Sequence, residues 1–475
     1  MSKTEQDVTE RQVNVEGLVD KHFPGPDYRE NQKEAIVTAV ELFMEGDEWV
    51  LIDAPTGFGK SLVLYTIARV MADIGGDKSY YTTPLKTLQD QITDDEFMGD
   101  KVIEMKGRSN YDCVHPEDRG TPVDRAICQK DSDFDCEYKS ECPYYSRKDA
   151  ATDHPVVVMN TSYLMAEGMV DPNMDNSFGH RIHMNLDEVQ SLEDWALNFV
   201  GLTFTPRTLP NTIEDAVDIP HLEEDGWGDY AIELANELDE DVVNLNEIDV
   251  ARYWLEKDVR DKIEAAISSL STIPTKDDDE LEELEKLKRF NDKIQRFLRD
   301  SYDNEWVATF DHKIVKNGDN YGRLELTPLF VGRFLDNLVW DRADYFVPAS
   351  ATLPAGDWVE EMGMDPSRTT RIKIPHSFPV ENRKIITNFS VGKMTYNKRR
   401  ENMPQAVETV RKMSEHHEGQ KGIIHARAYN MVDLFRRVAQ NNGHGEWYRE
   451  NVHEQGRMSR EEDLEEGKNN DKQIF

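Results

Sequence analysis

The chain has 475 residues, a length typical of about three domains with sizeable buried cores. It has no apolar run of about 18 residues and starts with a polar stretch, which argues against a membrane partner and predicts a cytoplasmic location. Its formal net charge is −37, from 56 Lys and Arg residues against 93 Asp and Glu residues. A field of that sign repels nucleic acids. The same excess is typical of a hydrated surface adapted to high salt, and the even spacing of the acids favours such a halophilic source, so composition leaves the substrate open.

Residues 1–20 are polar, which predicts a disordered N-terminus. An apolar-periodic helix then begins at residues 28–32 and carries an Arg-x-x-Gln pair, Arg29 and Gln32, shortly before the next motif. A glutamine amide both donates to and accepts from the edge of adenine, so we expect this pair to recognise the base of a nucleotide. The alternative is an ordinary polar helix start.

A phosphate loop follows a buried strand that ends at residues 50–52 and precedes an amphipathic helix from Ser61 onward. It has the form G-x-x-x-x-G-K-S, with alanine where the first glycine usually stands, and it comprises Ala54, Pro55, Thr56, Gly57, Phe58, Gly59, Lys60 and Ser61. The two glycines let backbone N–H groups surround phosphate oxygens, and the helix N-terminus adds positive charge. We expect Lys60 to reach the β- and γ-phosphates and the Ser61 hydroxyl to ligate Mg²⁺. The order of strand, loop and helix predicts a nucleoside triphosphate site rather than a plain glycine turn.

A second strand is predicted at residues 79–83, followed by a helix that opens at Pro84. The hydroxyls before this helix leave its N-terminus exposed, which suits the backbone phosphate of a nucleic-acid strand. Plain capping of the helix would use the same residues, so both interpretations stay open.

All four cysteines fall within thirty residues, at positions Cys113, Cys128, Cys136 and Cys142. Such clustering in a cytosolic protein predicts a metal site rather than disulfides. Four thiolates suit either Zn²⁺ or an iron–sulfur cluster. The lack of a C-x-x-C pair weakens the zinc-ribbon alternative, and spacing alone leaves the metal undecided.

Three segments near these cysteines carry a resemblance: residues 106–113 (KGRSNYDC), 142–145 (CPYY) and 156–160 (VVVMN). They look like the iron–sulfur helicases of the XPD/DinG family, within helicase superfamily 2, and the resemblance extends over most of residues 25–465. It implies a RecA-like first motor domain with an inserted [4Fe–4S] domain, whose cluster the four cysteines would ligate. It also implies translocation on single-stranded DNA, typically 5′ to 3′, with Lys106 and Arg108 beside the DNA path.

An acidic pair, Asp187 and Glu188, follows a predicted strand at residues 182–186. Facing a phosphate loop, such a pair can hold Mg²⁺ through Asp187 and can orient or deprotonate the attacking water through Glu188. The family more often has Asp-Glu-Ala-His here, and Gln190 replaces the histidine, a departure that would alter the coupling between hydrolysis and DNA. We therefore predict catalytic roles for Lys60, Asp187 and Glu188, with Gln190 in the nucleotide site.

Residues 206–325 contain an acidic cluster at 277–280 that is typical of a helix start, followed by an apolar stripe at helical spacing. The stripe is Leu281, Leu284, Leu287, Phe290, Ile294 and Phe297. By position this region matches the family's helical Arch insertion, although a helical lid fits the residues equally. Further on, Ser350 and Thr352 end a predicted strand in a Ser-Ala-Thr pattern that resembles helicase motif III.

A second motor domain is predicted from His376, with strands at residues 384–388 and 422–426. Residues 425–427 stand where the family has motif IV, and residues 471–475 resemble the opening of a further strand. The family's motifs V and VI, with the arginine finger of motif VI, do not occur, which counts against autonomous helicase activity. We expect a truncated second domain, and a separate chain that supplies the missing half is one way to complete it.

The predicted architecture is α/β: a RecA-like P-loop motor domain with iron–sulfur and helical Arch insertions, and an incomplete second RecA-like domain. The first motor domain is predicted to comprise three segments, 21–105, 146–205 and 326–375. The other predicted boundaries are 1–20 (disordered), 106–145 (iron–sulfur domain), 206–325 (Arch-like insertion) and 376–475 (second motor domain).

The leading functional hypothesis is an ATP- and Mg²⁺-dependent helicase on single-stranded DNA, acting in DNA repair or replication. The alternative is a fragment that binds ATP and nucleic acid with little turnover. An RNA-directed helicase is disfavoured, because such enzymes seldom carry this cysteine insert.

Overall fold

The computed structural model describes most of the chain. The described residues are 13–131, 134–171, 174, 177–206, 208–214, 216–220, 226–301, 305–314, 320–376, 379, 381, 391–417, 419–426, 428–453 and 474. The chain divides into two compact units, Met1–Ser377 and Phe378–Phe475.

The strands of the first unit form two sheets. They are β1 (Trp49–Asp53), β2 (Ser79–Thr83), β3 (Ile103–Glu104), β4 (Val156–Asn160), β5 (Arg181–Asp187), β6 (Leu202–Phe204), β7 (Trp306–Ile314), β8 (Asn320–Pro328), β9 (Ala343–Ser350) and β10 (Thr369–Lys373). Seven of them pair in parallel in the order β10-β1-β9-β5-β2-β4-β3, and the other three pair antiparallel in the order β6-β8-β7. The predicted α/β class is confirmed.

Side chains of the parallel sheet alternate between two buried faces. Leu51 and Val157 pack into one apolar cluster, whereas Val50, Ile52 and Val158 pack into the other. This follows from the two-residue period of a strand. Both faces are buried because the helices that connect parallel strands cover the sheet on each side. The near-continuous apolar sequence of these strands is therefore the expected signature of their place in the fold.

The helices of the first unit connect the strands and build the insertions. They are α1 (Val15–His22), α2 (Gln32–Glu45), α3 (Lys60–Gly75), α4 (Lys86–Thr93), α5 (Ile127–Lys130), α6 (Pro143–Asp153), α7 (Thr161–Gly168), α8 (Leu192–Val200), α9 (Asn211–Glu214), α10 (Gly226–Leu238), α11 (Glu247–Trp254), α12 (Arg260–Ser271), α13 (Asp278–Asp300), α14 (Gly332–Leu338) and α15 (Trp358–Glu361). A π-helical turn, Leu255–Val259, joins α11 to α12. Over the described stretches of the chain, no helix is both long and apolar enough to cross a membrane.

Helix α1 lies partly within the stretch that is predicted to be disordered. Its residues Val15 and Val19 are buried in the same apolar cluster as α2 and α3. Two valines four residues apart share one face of a helix, and that face is enough to dock an otherwise polar segment. The prediction of disorder is therefore wrong for residues 13–20, and residues 1–12 lie outside the described residues.

The longest helix of the insertion, α13, buries the predicted apolar stripe. Leu287, Ile294 and Phe297 are fully buried in the cluster that also covers one face of the parallel sheet. The acidic cluster before it caps the helix, because the Asp277 carboxylate accepts from the Glu280 N–H at 2.8 Å and the Glu280 carboxylate accepts from the Asp277 N–H at 3.0 Å. The predicted helix start is confirmed.

The same insertion contains β7 and β8, which a purely helical interpretation omits. Trp306 and Ala308 are buried and Val307 between them is exposed, which is the two-residue period of a half-buried strand. In β8, Leu324 and Leu326 alternate in the same way and are fully buried. The pattern is present in the sequence, but the helical stripe of α13 is stronger and dominates the interpretation of the region.

The second unit contains three helices among its described residues: α16 (Arg399–His416), α17 (Tyr429–Asn441) and α18 (Gly445–Asn451). They pack around Val407, Ala439 and Tyr448. The strand predicted at residues 422–426 is wrong for the described residues, where Gly422 makes only an isolated parallel bridge to Ile474. A strand needs a partner along its length to satisfy its N–H and C=O groups, and the bridge supplies one at a single residue. Residues 384–388, Arg427 and 471–473 lie outside the description.

Candidate functional site

The phosphate loop lies at the carboxyl end of β1, which has β10 on one side and β9 on the other. Gly57 and Gly59 have φ values of +81° and +83°, left-handed conformations that glycine adopts without steric cost. Helix α3 begins at Lys60, one residue before the predicted start. The loop therefore ends at a helix N-terminus, whose free N–H groups and dipole favour a bound phosphate.

The acidic pair lies at the same edge of the sheet, because β5 is separated from β1 by β9 alone. Lys60 Nζ is 2.8 Å from Glu188 Oε1, and Gln190 Nε2 donates to Glu188 Oε2 at 2.9 Å. Glu188 has a φ of +50°, an unfavourable backbone conformation for a non-glycine residue that costs about 1–3 kcal/mol and is concentrated at functional sites. The structure thus brings together three predicted site residues from two separate motifs.

Asp187 ends β5 in a largely desolvated position. Its carboxylate accepts from the Tyr81 hydroxyl at 3.5 Å and from the Glu188 N–H at 3.0 Å. Burial raises the pKa of the Asp187 carboxyl to about 6, while Lys60 lowers it and Glu188 raises it. A partly buried carboxylate with so few donors gains from a divalent cation, which replaces the solvation it has lost.

Tyr81 is a site residue that the sequence interpretation missed. Burial raises its pKa far above the ordinary value, and its hydroxyl lies close to both Asp187 and Ser61. The sequence does not show this neighbour directly, because it depends on the pairing of β2 beside β5, which places Tyr81 opposite Asn185. A polar side chain near the carboxyl end of β2 can therefore be expected to face the acidic pair.

The strand β9 lies between the two halves of the site. The Ala54 N–H at the start of the phosphate loop donates to the Ser350 carbonyl at 3.0 Å, and Ala349 pairs with Asp187 in the register of β5 and β9. The Ser350 hydroxyl accepts from the Thr352 N–H at 2.9 Å. The Ser-Ala-Thr segment therefore supports the loop through its backbone and uses its hydroxyl within its own turn.

Gln32 holds the phosphate loop instead of facing a ligand. Its Nε2 donates to the carbonyl oxygens of Phe58 at 2.7 Å and Gly59 at 3.4 Å, and its Oε1 accepts from the Arg29 N–H at 2.8 Å. The Arg29 guanidinium donates to the Gly57 carbonyl at 2.7 Å. Because Gln32 is fully buried and both ends of its amide are engaged, the adenine contact predicted for it is not the role that this structure gives it.

Replacing Gln32 with leucine distinguishes its contact with the phosphate loop from the predicted contact with adenine. We expect unfolding free energy to fall by about 1–3 kcal/mol, because two loop carbonyls lose their donor in a buried place. Nucleotide affinity should fall equally for ATP and GTP, measured by titration, because the loop and not the base contact is disturbed. Glu34→Ala, an exposed change on the same helix, is the control. Unchanged stability with a selective loss of ATP over GTP would restore the adenine role.

All four cysteines line one cavity of about 120 Å³. Cys113 and Cys142 are buried, Cys128 and Cys136 are partly buried, and all four thiols are free. The His115 N–H donates to Cys113 Sγ at 3.4 Å. Over the described residues, no group of three or more His, Cys, Asp or Glu side chains is arranged to hold a metal ion. The structure therefore gathers the predicted ligands around one space without converging them on a single point.

The two cations expected beside a DNA path differ in their surroundings. Lys106 forms ion pairs with Asp90 and, at 3.1 Å, with Glu104. Arg108 is exposed and lies over the ring of Tyr144, with the guanidinium carbon 5.2 Å from the ring centre. Lys106 is therefore neutralised within the protein, and Arg108 keeps its charge at the surface.

Comparisons with known proteins give a limited result. No family model matches the chain, and no curated protein matches it. Among solved structures, it is similar to an XPD helicase with a TM-score of 0.49 and 14% identity, over 95% of this chain and 80% of that one. It is also similar to an XPD structure in the apo form with a TM-score of 0.41 and 13% identity, over 94% of this chain and 77% of that one. Likenesses at this level do not establish an activity, so the function is argued from the residues of this chain.

Proposed function

We propose that this chain binds ATP with Mg²⁺ and hydrolyses it to move along single-stranded DNA, as an iron–sulfur helicase of the XPD/DinG kind. The observation that carries the proposal is the 2.8 Å contact between Lys60 and Glu188, next to the partly buried Asp187. A phosphate-binding lysine, a metal-binding carboxylate and a second carboxylate at one sheet edge are the groups that phosphoryl transfer to water requires.

Each residue of the site has a distinct role in the proposed reaction. The loop N–H groups and Lys60 bind the β- and γ-phosphates, and Lys60 must leave Glu188 to do so. Ser61 and Asp187 would hold Mg²⁺, which would supply positive charge to stabilise the transferring phosphoryl group. Glu188, released from the lysine but still held by Gln190, orients the attacking water and accepts its proton. Nucleotide binding therefore also frees the Glu188 carboxylate to act as the general base.

The shared cavity of the four cysteines supports a site for a metal ion or a cluster, and the resemblance favours the cluster. One zinc ion needs four sulfurs within about 2.3 Å of one point. A [4Fe–4S] cluster spreads its four thiolates, one to each iron, over a larger cage. Cys113, Cys128, Cys136 and Cys142 line one cavity and would be its four ligands, and such a cluster would tie four separate positions of this segment together.

The surface between the cysteine segment and the sheet supports nucleic-acid binding. Lys86, in the first turn of α4, donates to Asn110 Oδ1 at 2.8 Å, so this helix N-terminus lies beside the segment that precedes Cys113. Exposed Arg108 lies over Tyr144, and Lys139 lies 5.0 Å from the ring centre of Tyr145. Because Tyr144 is buried and Tyr145 is partly buried, these rings hold the two cations in place, and the cations would bind a single strand through its phosphates. Such a positively charged patch can attract phosphate groups at short range, although the chain has a net charge of −37.

The test is the ATPase of the purified chain with and without nucleic acid. We expect single-stranded DNA to stimulate turnover more than RNA or duplex DNA does, and Lys60→Ala to lower turnover at least about 100-fold through loss of phosphate stabilisation. Lys288→Ala, an exposed lysine on α13, is the control. Nucleotide binding without measurable turnover under any of these conditions would favour a binding fragment over a motor.

A further inference from the structure

A second cavity, of about 510 Å³, lies between the end of α13 and the helix α14. Its polar wall contains Arg296, Arg299 and Arg333, and its apolar wall contains Phe334, Leu338 and Met169. Three guanidinium groups around one cavity are unexpected in a chain of net charge −37. A volume of this size is within the range of small-molecule sites.

Arg296 is the central feature of this cavity. It is 9% exposed, its Nη2 contacts Met169 Sδ at 3.2 Å, and its Nη1 has no hydrogen-bond partner among the described residues. Burial lowers the pKa of Arg296, and the neighbouring Arg299 adds to that effect. Asp300 and Asp292 act in the opposite direction on this pKa, but neither hydrogen-bonds to Arg296 among the described residues. A buried guanidinium without a hydrogen-bonded carboxylate is costly unless another anion compensates it. The site is therefore incomplete as the protein alone provides it.

The other two arginines are partly committed. Arg299 binds Asp300 at 2.8 and 3.2 Å, and Arg333 binds Glu305 at 2.5 Å and donates to the Asp300 carbonyl at 3.0 Å. The Nε of Arg333 is buried without a partner among the residues that the structure describes. Glu305 and Asp300 therefore engage Arg333 and Arg299, and Asp292 also acts on Arg296 electrostatically, but none of these carboxylates hydrogen-bonds to Arg296 among the described residues.

The cavity is remote from the phosphate loop. Arg342, just before β9, donates to the carbonyls of Gly168 and Val170 at 2.6 Å each, so the chain beside Met169 lies at the amino end of that strand. The phosphate loop contacts Ser350, at the carboxyl end. The eight residues of β9 separate the two places by roughly 25 Å. A ligand in this cavity is therefore not the nucleotide of the proposed motor site.

We propose that this cavity binds the phosphate of a nucleotide, with the guanidinium of Arg296 as its main partner. A planar guanidinium can match the oxygens of a phosphate in two parallel hydrogen bonds. In Arg296, the buried Nη1 has no partner among the described residues, and Nη2 would exchange its contact with Met169 Sδ for a phosphate oxygen. The apolar wall of Phe334, Leu338 and Met169 accommodates the sugar or base, which an inorganic anion would leave unfilled. The phosphate belongs either to a free mononucleotide or to the terminal nucleotide of a strand.

The test uses the full chain in a Lys60→Ala background, so that the phosphate loop contributes little binding. The probes are uridine monophosphate and a short oligonucleotide with or without a 5′-phosphate, measured by calorimetry. We expect Arg296→Met to weaken binding of the phosphorylated probe at least about tenfold. Arg289→Met, an exposed change two turns earlier on α13, should leave binding unchanged.

The results distinguish the two possible sources of the phosphate, and they also test whether the cavity binds a phosphate at all. Tight binding of uridine monophosphate identifies a free nucleotide, and a preference for the phosphorylated oligonucleotide over both other probes identifies a strand end. Arg296→Met should also raise the melting temperature of the ligand-free protein, because it removes a buried unpartnered charge. Arg299→Gln, at an exposed residue, gives a second affinity measurement if Arg296→Met misfolds. Equal affinities in wild type and both variants would overturn the proposal, whatever the result for the motor site.

Discussion

Replacing Glu188 with glutamine should lower ATP turnover by about 10²- to 10⁴-fold and leave nucleotide binding intact. Glutamine keeps the shape of glutamate and can still receive a hydrogen bond from Lys60, but it cannot accept a proton from water. Gln190 would still contact the residue from its present position. Because Lys60 no longer has an ion pair to break, we expect ATP affinity to rise slightly. Steady-state ATPase and equilibrium nucleotide titration measure the two effects separately.

The matched control is Asp194→Asn, which also removes one negative charge shortly after the acidic pair, at an exposed position of α8. Its turnover should stay within about twofold of wild type, since an exposed surface charge acts weakly at this distance. If Glu188→Gln behaves like this control, Glu188 serves only to hold Lys60, and the base must be sought elsewhere.

The motifs at the proposed nucleotide site were predictable because their chemistry depends on local order. A strand, two glycines, a lysine and a helix start specify the loop by themselves, and the structure places Lys60 at the first position of α3. Glu188 was predictable in the same way, because it belongs to an acidic pair that follows an apolar strand. The contact between Lys60 and Glu188 spans 128 residues, yet it follows from the fact that parallel strands present their carboxyl ends at one edge.

The predictions that failed depend on partners that a sequence does not display. The contact of Gln32 with the phosphate loop was likewise not predicted, because it depends on the position of the Phe58 carbonyl, which is fixed by tertiary packing; the adenine contact stays a prediction. Helix α1 forms because α2 and α3 offer Val19 a buried place, not because its own residues favour a helix. The alternation in β7 was visible, but it gains meaning only when β8 is known to pair with it.

The cysteine segment is not an appendage of the sheet. Cys113 and Cys142 belong to the same buried cluster as Leu51 and Tyr80, which lie in β1 and β2. A group bound by the cysteines would therefore be connected, through this buried cluster, to the strands that carry the phosphate loop and Tyr81. A group that fixes the four cysteines would stabilise the edge on which nucleotide and nucleic acid are proposed to meet.

Replacing Cys142 with serine should abolish the iron–sulfur chromophore of the anaerobically purified chain and lower its melting temperature strongly. Wild type is expected to hold about four irons and four inorganic sulfides per chain, and the variant close to none. Ser140→Ala, an exposed change in the same segment, should retain both the iron and the colour. Iron and sulfide assays, visible absorption and thermal denaturation measure these effects.

The size of the thermal effect tests the cluster independently of its colour. Exchanging one buried thiol for a hydroxyl in a protein that binds no metal costs only about 1–3 kcal/mol. Loss of a tightly bound group from the native state removes its whole binding free energy, so the melting temperature of the variant should fall further than a thiol exchange alone would lower it. Apo wild type and Cys142→Ser should then melt at similar temperatures, both well below holo wild type. A colourless wild type with one zinc per chain would contradict the cluster. If wild type holds no metal and Cys142→Ser has the same melting temperature as wild type, the four cysteines serve only in packing.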